Sequence, residues 1–131
     1  MKKLIIESPL LDSINNIYSD LPFYIFKDYF ERTNQKSLDQ LVANKIFNPL
    51  GLKRTLFNPR KNIPISEIVP SEDDRYYRNM VLRGFVHDMG AAMQGGVGGH
   101  AGLFSNATEV GKIMQLYLNK GFIDGLSLIH I

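Results

Sequence analysis

The sequence contains no cysteine among its 131 residues. This absence excludes disulfide scaffolds, thiol catalysis and zinc sites built from cysteine, and it leaves the cellular compartment open. Long hydrophobic runs are also missing. The longest unbroken apolar stretch covers only residues 23–26, whereas a bilayer span needs roughly 20 residues. The apolar run that begins at Leu4 ends at Glu7, so neither a membrane span nor a signal peptide is predicted.

Neither sign of charge is in clear excess. Lysine and arginine number 15 against 13 aspartates and glutamates, which gives a formal net charge of +2. The basic residues form no cluster, so no nucleic-acid partner is predicted. The composition, with 44% hydrophobic and 21% charged residues, is typical of one globular domain.

The first of three predicted helices covers residues 21–33, with Ser19 or Asp20 as its N-cap and Pro22 in its first turn. Its apolar residues share one face that we expect to be core: Leu21, Phe23, Ile25, Phe26, Tyr29 and Phe30. The opposite face carries two oppositely charged pairs four residues apart: Lys27 with Glu31, and Asp28 with Arg32.

The second predicted helix begins with a capping-box spacing at residues 37–40. It should end near Phe47, because Pro49 disfavours helix at the residue before it and Gly51 suits a C-terminal turn. Its expected buried stripe is Leu38, Leu41, Val42 and Ile46.

The third predicted helix begins at Ser105 or Asn106. The spacing of its apolar residues predicts a single stripe facing the core: Val110, Ile113, Met114, Tyr117 and Leu118.

The segment between the second and third helices is predicted to be irregular. From Thr55 to Met80 it has the pattern of an extended connection interrupted by prolines, and residues 81–86 are predicted to form a short strand. Seven of the nineteen residues from Gly84 to Gly102 are glycine. Glycine is entropically costly to order, so such a stretch is expected where the backbone needs positive φ or a close approach.

The last residues, 126–131, show no cap, turn or amphipathic pattern. They resemble the translation of a common sequencing-adapter sequence, so we predict a non-native tail there. On this interpretation residues 1–125 are part of a larger domain, and the chain is a fragment.

Two binding sites deserve consideration in the glycine-rich stretch. The pattern from Gly96 to Ala101 loosely fits a dinucleotide fingerprint, but no buried strand precedes it and no Lys-Ser/Thr follows. His87, Asp88 and His100 could hold zinc or iron. Because their spacing matches no metal motif, a capping or hydrogen-bonding role is favoured for the His-Asp pair. We therefore predict no metal and no organic cofactor.

Catalytic nucleophiles are not evident in the sequence. It has no Gly-x-Ser-x-Gly segment, and no serine is followed three residues later by lysine. Tyr18 precedes the first helix, but a tyrosine transfers protons near neutral pH only when nearby cations lower its pKa. Taken alone, Tyr18 is better interpreted as a packing residue at the start of the helix.

Five segments in order nevertheless resemble the middle of the β-lactamase-like serine hydrolases. They are YSD at 18–20, the predicted helix and its IFNPLGL end at 37–52, TLFNP at 55–59, GFVHD at 84–88 and GGHAGLFS at 98–105. The likeness covers about residues 5–121. It is closest to the branch of D-alanyl-D-alanine carboxypeptidases, which includes domains attached to bacterial β-N-acetylglucosaminidases.

The resemblance implies a fold that is mainly α with little β. The chain would be the helical lobe of a β-lactamase-like domain, without most of the antiparallel sheet. The family uses Ser-x-x-Lys, Tyr-x-Asn and then Lys-Thr-Gly or His-x-Gly to transfer an acyl group from an amide or ester to serine. The first motif would lie before Met1 and the third beyond Ile131, so the chain alone should be inactive.

Only the second motif is carried over to this sequence. Tyr18 matches the catalytic tyrosine, and Asp20 stands where asparagine is usual, so it accepts but cannot donate a hydrogen bond to substrate. The segment that begins at His100 runs into a helix and so does not match the third motif. His100 is expected to be either a structural loop residue or part of the substrate pocket wall.

The implied partner is a small-molecule or peptide substrate, such as a D-amino-acid peptide of cell-wall type. A periplasmic or cell-envelope location and fusion to a glycoside hydrolase domain are further expectations for the parent protein. The alternative is a non-catalytic helical module that binds a partner or a glycan.

Overall fold

The computed structural model describes residues 2–9, 12, 16–123 and 125–127. Five α-helices are present in these residues: α1 Lys2–Ile6, α2 Leu21–Asn34, α3 Leu38–Val42, α4 Met89–Met93 and α5 Ala107–Leu118. A π-helical turn, Ala43–Phe47, continues α3, and two 3-10 turns cover Pro59–Lys61 and Ile65–Glu67. No described helix is both long and apolar enough to cross a bilayer.

Six short strands form three antiparallel pairs in the described part of the chain. These are β1 Leu56–Phe57 with β4 Leu103–Phe104, β2 Pro70–Asp74 with β3 Met80–Arg83, and β5 Phe122–Ile123 with β6 Leu126–Ser127. The predicted predominance of helix over strand is therefore confirmed. Residues 126 and 127 of the predicted tail belong to the last pair, and residues 128–131 lie outside the described residues.

Helix α2 confirms the predicted start and charge pairs. Lys27 Nζ lies 3.0 Å from Glu31 Oε2, and Arg32 Nη2 lies 2.7 Å from Asp28 Oδ2. The helix ends where Gln35 adopts a left-handed φ of 52° and donates its N–H to the Glu31 carbonyl. Local sequence is sufficient to fix these features, because each involves residues at most four positions apart.

The prediction that one face of α2 is core is wrong for this chain. No residue of α2 is buried, and Phe23, Phe26 and Phe30 are 43%, 54% and 47% exposed. These aromatic rings line an apolar hollow together with Phe57 and Leu103. Periodicity identifies an apolar face but not what covers it, and the described residues cover this one only in part.

The second predicted helix is divided into α3 and the π-helical turn. Its capping box does not form, since the Ser37 side chain makes no capping hydrogen bond. Instead the Leu38 N–H donates to Oε1 of Glu31 over 2.9 Å, so a carboxylate from α2 satisfies the start of α3. The capping-box prediction is therefore wrong, because a residue of the neighbouring helix takes the position of the local cap.

The main core lies where the π-helical turn and the residues after it meet α5 and the last hairpin. Its buried residues are Phe47, Leu50, Leu52, Leu116 and Ile123. Val42, Ile46, Ile113 and Leu126 pack against them from the side. The predicted stripe of the second helix therefore does contribute to the core.

Helix α5 is capped as predicted but buries a different face. The side chain of Asn106 accepts the Glu109 N–H over 2.9 Å. Leu116 is buried, whereas the predicted core residues are 43–82% exposed, with the exception of half-buried Ile113. The predicted stripe was Val110, Ile113, Met114, Tyr117 and Leu118. The face that points inward instead carries Glu109, whose carboxylate accepts hydrogen bonds from residues 53–55.

The glycine-rich stretch packs closely against α2. A Cβ on Gly99 would lie 2.8 Å from the Phe23 carbonyl oxygen, and one on Gly90 would overlap the Tyr24 hydroxyl. Gly102 has a φ of +108°, which side-chain-bearing residues rarely adopt. Close approach and positive φ, both expected from the composition, therefore account for these glycines.

Candidate active site

Tyr18 and Asp20 lie immediately before α2. The Tyr18 side chain is 88% exposed, and its hydroxyl donates a 2.9 Å hydrogen bond to Oδ1 of Asp20. Asp20 is the N-cap residue of α2, yet its carboxylate makes no capping hydrogen bond, and the Leu21 N–H donates to the Ser19 hydroxyl instead. The Asp20 carboxylate is therefore free of the helix and faces the phenol.

Asp88 and His100 form a second pair beside them. Oδ1 of Asp88 accepts the Ala91 N–H over 2.6 Å, which caps α4, and lies 2.9 Å from Nε2 of His100. An ionised carboxylate can only accept a hydrogen bond, so Nε2 of His100 carries a proton and donates the hydrogen bond to Asp88. The favoured prediction of a capping and hydrogen-bonding role for the His-Asp pair is confirmed for Asp88, with His100 as its partner.

The two pairs meet in space. One carboxylate oxygen of Asp20, one of Asp88 and one ring nitrogen of His100 all lie within 4.8 Å of one another. The structure thus joins two of the predicted site residues, Asp20 and His100, through Asp88. The sequence suggested His87, Asp88 and His100 as a possible metal-binding group. Among the described residues the group that comes together contains Asp20 instead of His87.

Two carboxylates and an imidazole are a donor set that Zn²⁺ or Mn²⁺ accepts, so Asp20, Asp88 and His100 are the residues that could hold a cation. Oδ1 of Asp88 is already used by Ala91 and His100. These hydrogen bonds account for the arrangement without an ion, and we assign no metal to it.

The charges of this cluster act on the nearby phenols. The hydrogen bond to Asp20 and its negative charge raise the pKa of Tyr18 above its usual 10.0, with a smaller contribution from Asp88. Burial, followed by the charges of Asp88 and Asp20, also raises the pKa of Tyr24. Both phenols are therefore fully protonated near neutral pH.

Asp88 behaves in the opposite way. Burial alone would raise the pKa of Asp88. Hydrogen bonds from the Ala91 N–H and from His100, together with the charges of His100 and His87, lower this pKa by more than burial raises it. The pKa of Asp88 consequently lies below its usual range, and its carboxylate is ionised at neutral pH.

His100 is held inside the fold rather than presented at the surface. Only 4% of its side chain is exposed, and its ring stacks edge-on against Tyr24 with centroids 4.7 Å apart. Its Nδ1 is buried and has no hydrogen-bond partner among the described residues. His100 therefore contacts the site through Nε2, the ring nitrogen that faces Asp88.

Sequence reasoning missed Tyr24 and the part that Asp88 plays in the site. Tyr24 stands four residues after Asp20 at the start of a helix, which puts both on one side of it. That spacing could have indicated Tyr24. The contact between Asp88 and the region of Asp20 depends on how α4 docks against α2, which no local pattern encodes.

The sequence was also compared with known protein families. The family model described as "Beta-lactamase" matches residues 12–127. The chain belongs to the β-lactamase family. The resemblance identified from the five segments is thereby confirmed.

Several curated proteins are also similar to the chain. A Salmonella enteritidis protein named "Putative D-alanyl-D-alanine carboxypeptidase" is 37% identical over 125 residues, which are 86% of this chain and 29% of that protein. The Escherichia coli K12 protein of the same name is 36% identical over 127 residues, 88% of this chain and 29% of its own length. A Bacillus subtilis protein named "N-acetylmuramyl-L-alanine amidase" is 34% identical over 125 residues, 86% of this chain and 28% of that protein.

The chain spans less than a third of the length of these curated relatives. No solved structure gave a significant match.

Proposed function

We propose that this chain is part of a longer protein and that the whole protein is a serine hydrolase. It would transfer the acyl group of an amide or ester to a serine and release it with water. Family membership supports this proposal, and the exposed Tyr18 hydroxyl on the Asp20 carboxylate is the structural observation that carries it. Tyr18 occupies the position of the tyrosine in the Tyr-x-Asn motif of the family.

In this proposal Tyr18 transfers a proton between the serine, the substrate and the leaving group. Because Asp20 and Asp88 raise its pKa, the phenol is a proton donor in this chain and needs a cation close by before it can also accept. The lysine of a Ser-x-x-Lys motif is such a cation, and this sequence contains no such motif. We therefore propose that the 131-residue chain is inactive alone.

Asp20 would bind the substrate beside the scissile bond. A carboxylate offers only acceptors, so the complementary substrate group is an N–H or an ammonium rather than a carbonyl. His100 would shape the pocket through Asp88, because its own side chain is almost completely buried. Cell-wall peptides ending in D-amino acids are the proposed substrate class, in line with the name of the similar D-alanyl-D-alanine carboxypeptidases.

Covalent labelling of the full-length parent protein tests this function. A fluorescent penicillin or a fluorophosphonate should form an adduct on serine, and Tyr18→Phe should slow its formation by about 100- to 10,000-fold, the usual contribution of a general acid–base group. Tyr117→Phe is the matched control, since Tyr117 is equally polar, 74% exposed and lies on α5.

Two outcomes would overturn the proposal. One is that neither probe forms an adduct with the folded full-length protein. This result would favour a non-catalytic module that binds a partner or a glycan. The other is an equal labelling rate for Tyr18→Phe and the parent, which would remove Tyr18 from the chemistry.

A further inference from the structure

The guanidinium of Arg78 connects the β2–β3 hairpin to the loop before α4. Nη1 donates to the Val86 carbonyl over 2.6 Å, and Nη2 donates to the His87 carbonyl over 2.8 Å. These two carbonyls directly precede Asp88. One planar side chain therefore holds two consecutive peptide groups of the segment that carries Asp88.

The position of Arg78 is itself fixed by Asp74. Nε of Arg78 donates to Oδ2 of Asp74 over 2.6 Å, and the Asp74 carboxylate also accepts the backbone N–H groups of Tyr76, Tyr77 and Arg78. Asp74 is 5% exposed, and 19% of the Arg78 side chain is exposed. The hairpin turn and the guanidinium are thus locked together by one buried carboxylate.

We infer that Arg78 is a positioning residue of the candidate active site, which fixes the segment 86–88 so that Asp88 reaches both the start of α4 and His100. The contacts then run from the hairpin through Asp88 and His100 toward Asp20, whose carboxylate holds the Tyr18 hydroxyl. Any consequence for catalysis rests on the proposed function, whereas the positioning itself does not.

The chemistry of this contact requires arginine. Its three nitrogens present donors in a fixed plane, so one side chain can satisfy a carboxylate and two carbonyls in different directions. A lysine ammonium keeps the charge and can reach Asp74, but it lacks the planar fork needed to hold both carbonyls as well. Arg78→Lys therefore separates the charge of this residue from its geometry.

Nuclear magnetic resonance of the isotope-labelled 131-residue chain tests the inference without any substrate. Two signals report on Asp88: hydrogen exchange of the Ala91 amide, which donates to its carboxylate, and the ¹⁵N shifts of the His100 ring. In Arg78→Lys we expect Ala91 exchange to accelerate by about tenfold, which corresponds to the loss of one charge-assisted hydrogen bond. We also expect the His100 Nε2 shift to move toward that of a ring without a carboxylate partner.

Two control variants separate positioning from general stability. Arg75→Lys changes an 84% exposed arginine of the same turn that pairs with Asp73, and it should leave both signals unchanged. Leu116→Val weakens the distant core, and at a matched free energy of unfolding it should not shift the His100 ring signals. Asp74→Asn, which removes the charge that anchors the guanidinium, should change both signals in the same direction as Arg78→Lys.

The inference is overturned if folded Arg78→Lys shows the parent's Ala91 exchange and His100 shifts, or if Leu116→Val reproduces its changes. Failure of both Arg78→Lys and Asp74→Asn to fold would also count against it, because the pair would then be required for the whole fold rather than for the site. A protein that is not a serine hydrolase would fail the labelling test but not this one.

Discussion

The hydroxyl of Thr55 donates a 2.6 Å hydrogen bond to Oε2 of Glu109, a residue 54 positions later in the sequence. The same carboxylate accepts the backbone N–H groups of Lys53 and Arg54. Burial raises the pKa of Glu109, but the hydrogen bonds from the hydroxyl and these N–H groups lower it by more than burial raises it. The carboxylate is therefore ionised at neutral pH. This contact ties the first turn of α5 to the chain segment before β1.

A double-mutant cycle on this pair should reveal strong coupling. Thr55 is 3% exposed, so Thr55→Val keeps the buried volume but removes the hydroxyl donor, and Oε2 of Glu109 is left with only the 3.0 Å hydrogen bond from the Arg54 N–H. We expect Thr55→Val and Glu109→Gln each to lower the free energy of unfolding by about 1–3 kcal/mol. The double variant should lose less than the sum by at least about 0.5 kcal/mol, as measured by urea unfolding.

Thr108→Val is the control for this cycle, because Thr108 is exposed in the same first turn of α5. It should change the free energy of unfolding by no more than about 0.5 kcal/mol. Strictly additive effects of the Thr55 and Glu109 substitutions would show that the hydrogen bond contributes nothing of its own.

The contact between Thr55 and Glu109 joins distant residues, and such long-range contacts mark the parts of the fold that the sequence could not predict. The bounds of α2 and the Asn106 cap depend on neighbours a few residues away, so local patterns were sufficient. The buried face of α5 was mispredicted because a polar residue, Glu109, turns inward to reach a distant segment. A hydrophobic periodicity has no means of showing this.

The candidate site follows the same division. Tyr18 and Asp20 could be selected from a short motif before a helix, and His100 from its glycine-rich context. Their assembly around Asp88 could not be predicted, since it depends on the docking of α4 against α2 and on the Arg78 contact with residues 86 and 87. The acidic strand β2 escaped prediction because aspartate and glutamate are poor strand formers and its pairing with β3 is a tertiary feature.

Replacing Asp20 by asparagine should lower the pKa of Tyr18. The carboxylate raises that pKa by accepting the phenol proton in a hydrogen bond and by opposing the negative charge of the phenolate. Asparagine keeps an acceptor oxygen but removes the charge, so the Tyr18 pKa should move down toward its usual 10.0. An alkaline titration of ¹³Cζ-labelled tyrosine in the 131-residue chain measures this change.

Asp39→Asn, which removes the same charge from α3, should leave the Tyr18 titration where it was. An unchanged Tyr18 pKa in Asp20→Asn would mean that the phenol does not contact Asp20 in solution.

The contribution of Asp74 to stability should disappear in strong acid. Hydrogen bonds from the Tyr77 N–H and from Arg78, together with the Tyr76 N–H and the charge of Arg78, outweigh the effect of burial and lower the pKa of Asp74 from 3.8 to about 2. The folded state therefore binds this proton less readily than the unfolded state. Its stabilising contribution is complete above the unfolded pKa near 3.8 and is lost as the pH falls through about 2.

We expect Asp74→Asn to be less stable than the parent chain near neutral pH by several degrees in Tm, and the difference to shrink steadily as the pH approaches 2. Asp73→Asn removes a neighbouring carboxylate that is 48% exposed and pairs with Arg75, and it should have little effect at any pH. A constant difference between Asp74→Asn and the parent across the acid range would contradict the prediction.

Gly99 and Gly111 are both exposed, but replacement by alanine should have opposite effects on stability at the two positions. A Cβ at Gly99 would meet the Phe23 carbonyl oxygen at 2.8 Å, and this backbone atom can move only if α2 shifts away from the loop. Gly99→Ala should therefore cost about 1–3 kcal/mol of unfolding free energy. Gly111 lies inside α5 with nothing within 4 Å of an added Cβ, so Gly111→Ala should stabilise the chain by about 0.5–1 kcal/mol through helix propensity.

Urea unfolding of both variants against the parent measures these two changes, and the Tyr24–His100 ring contact provides a second observable. Because Gly99 adjoins His100, the shift of α2 in Gly99→Ala should alter the ring-current shifts of His100, whereas Gly111→Ala should not. A Gly99→Ala chain as stable as the parent would show that α2 and the glycine-rich loop do not hold the distance on which the placement of His100 depends.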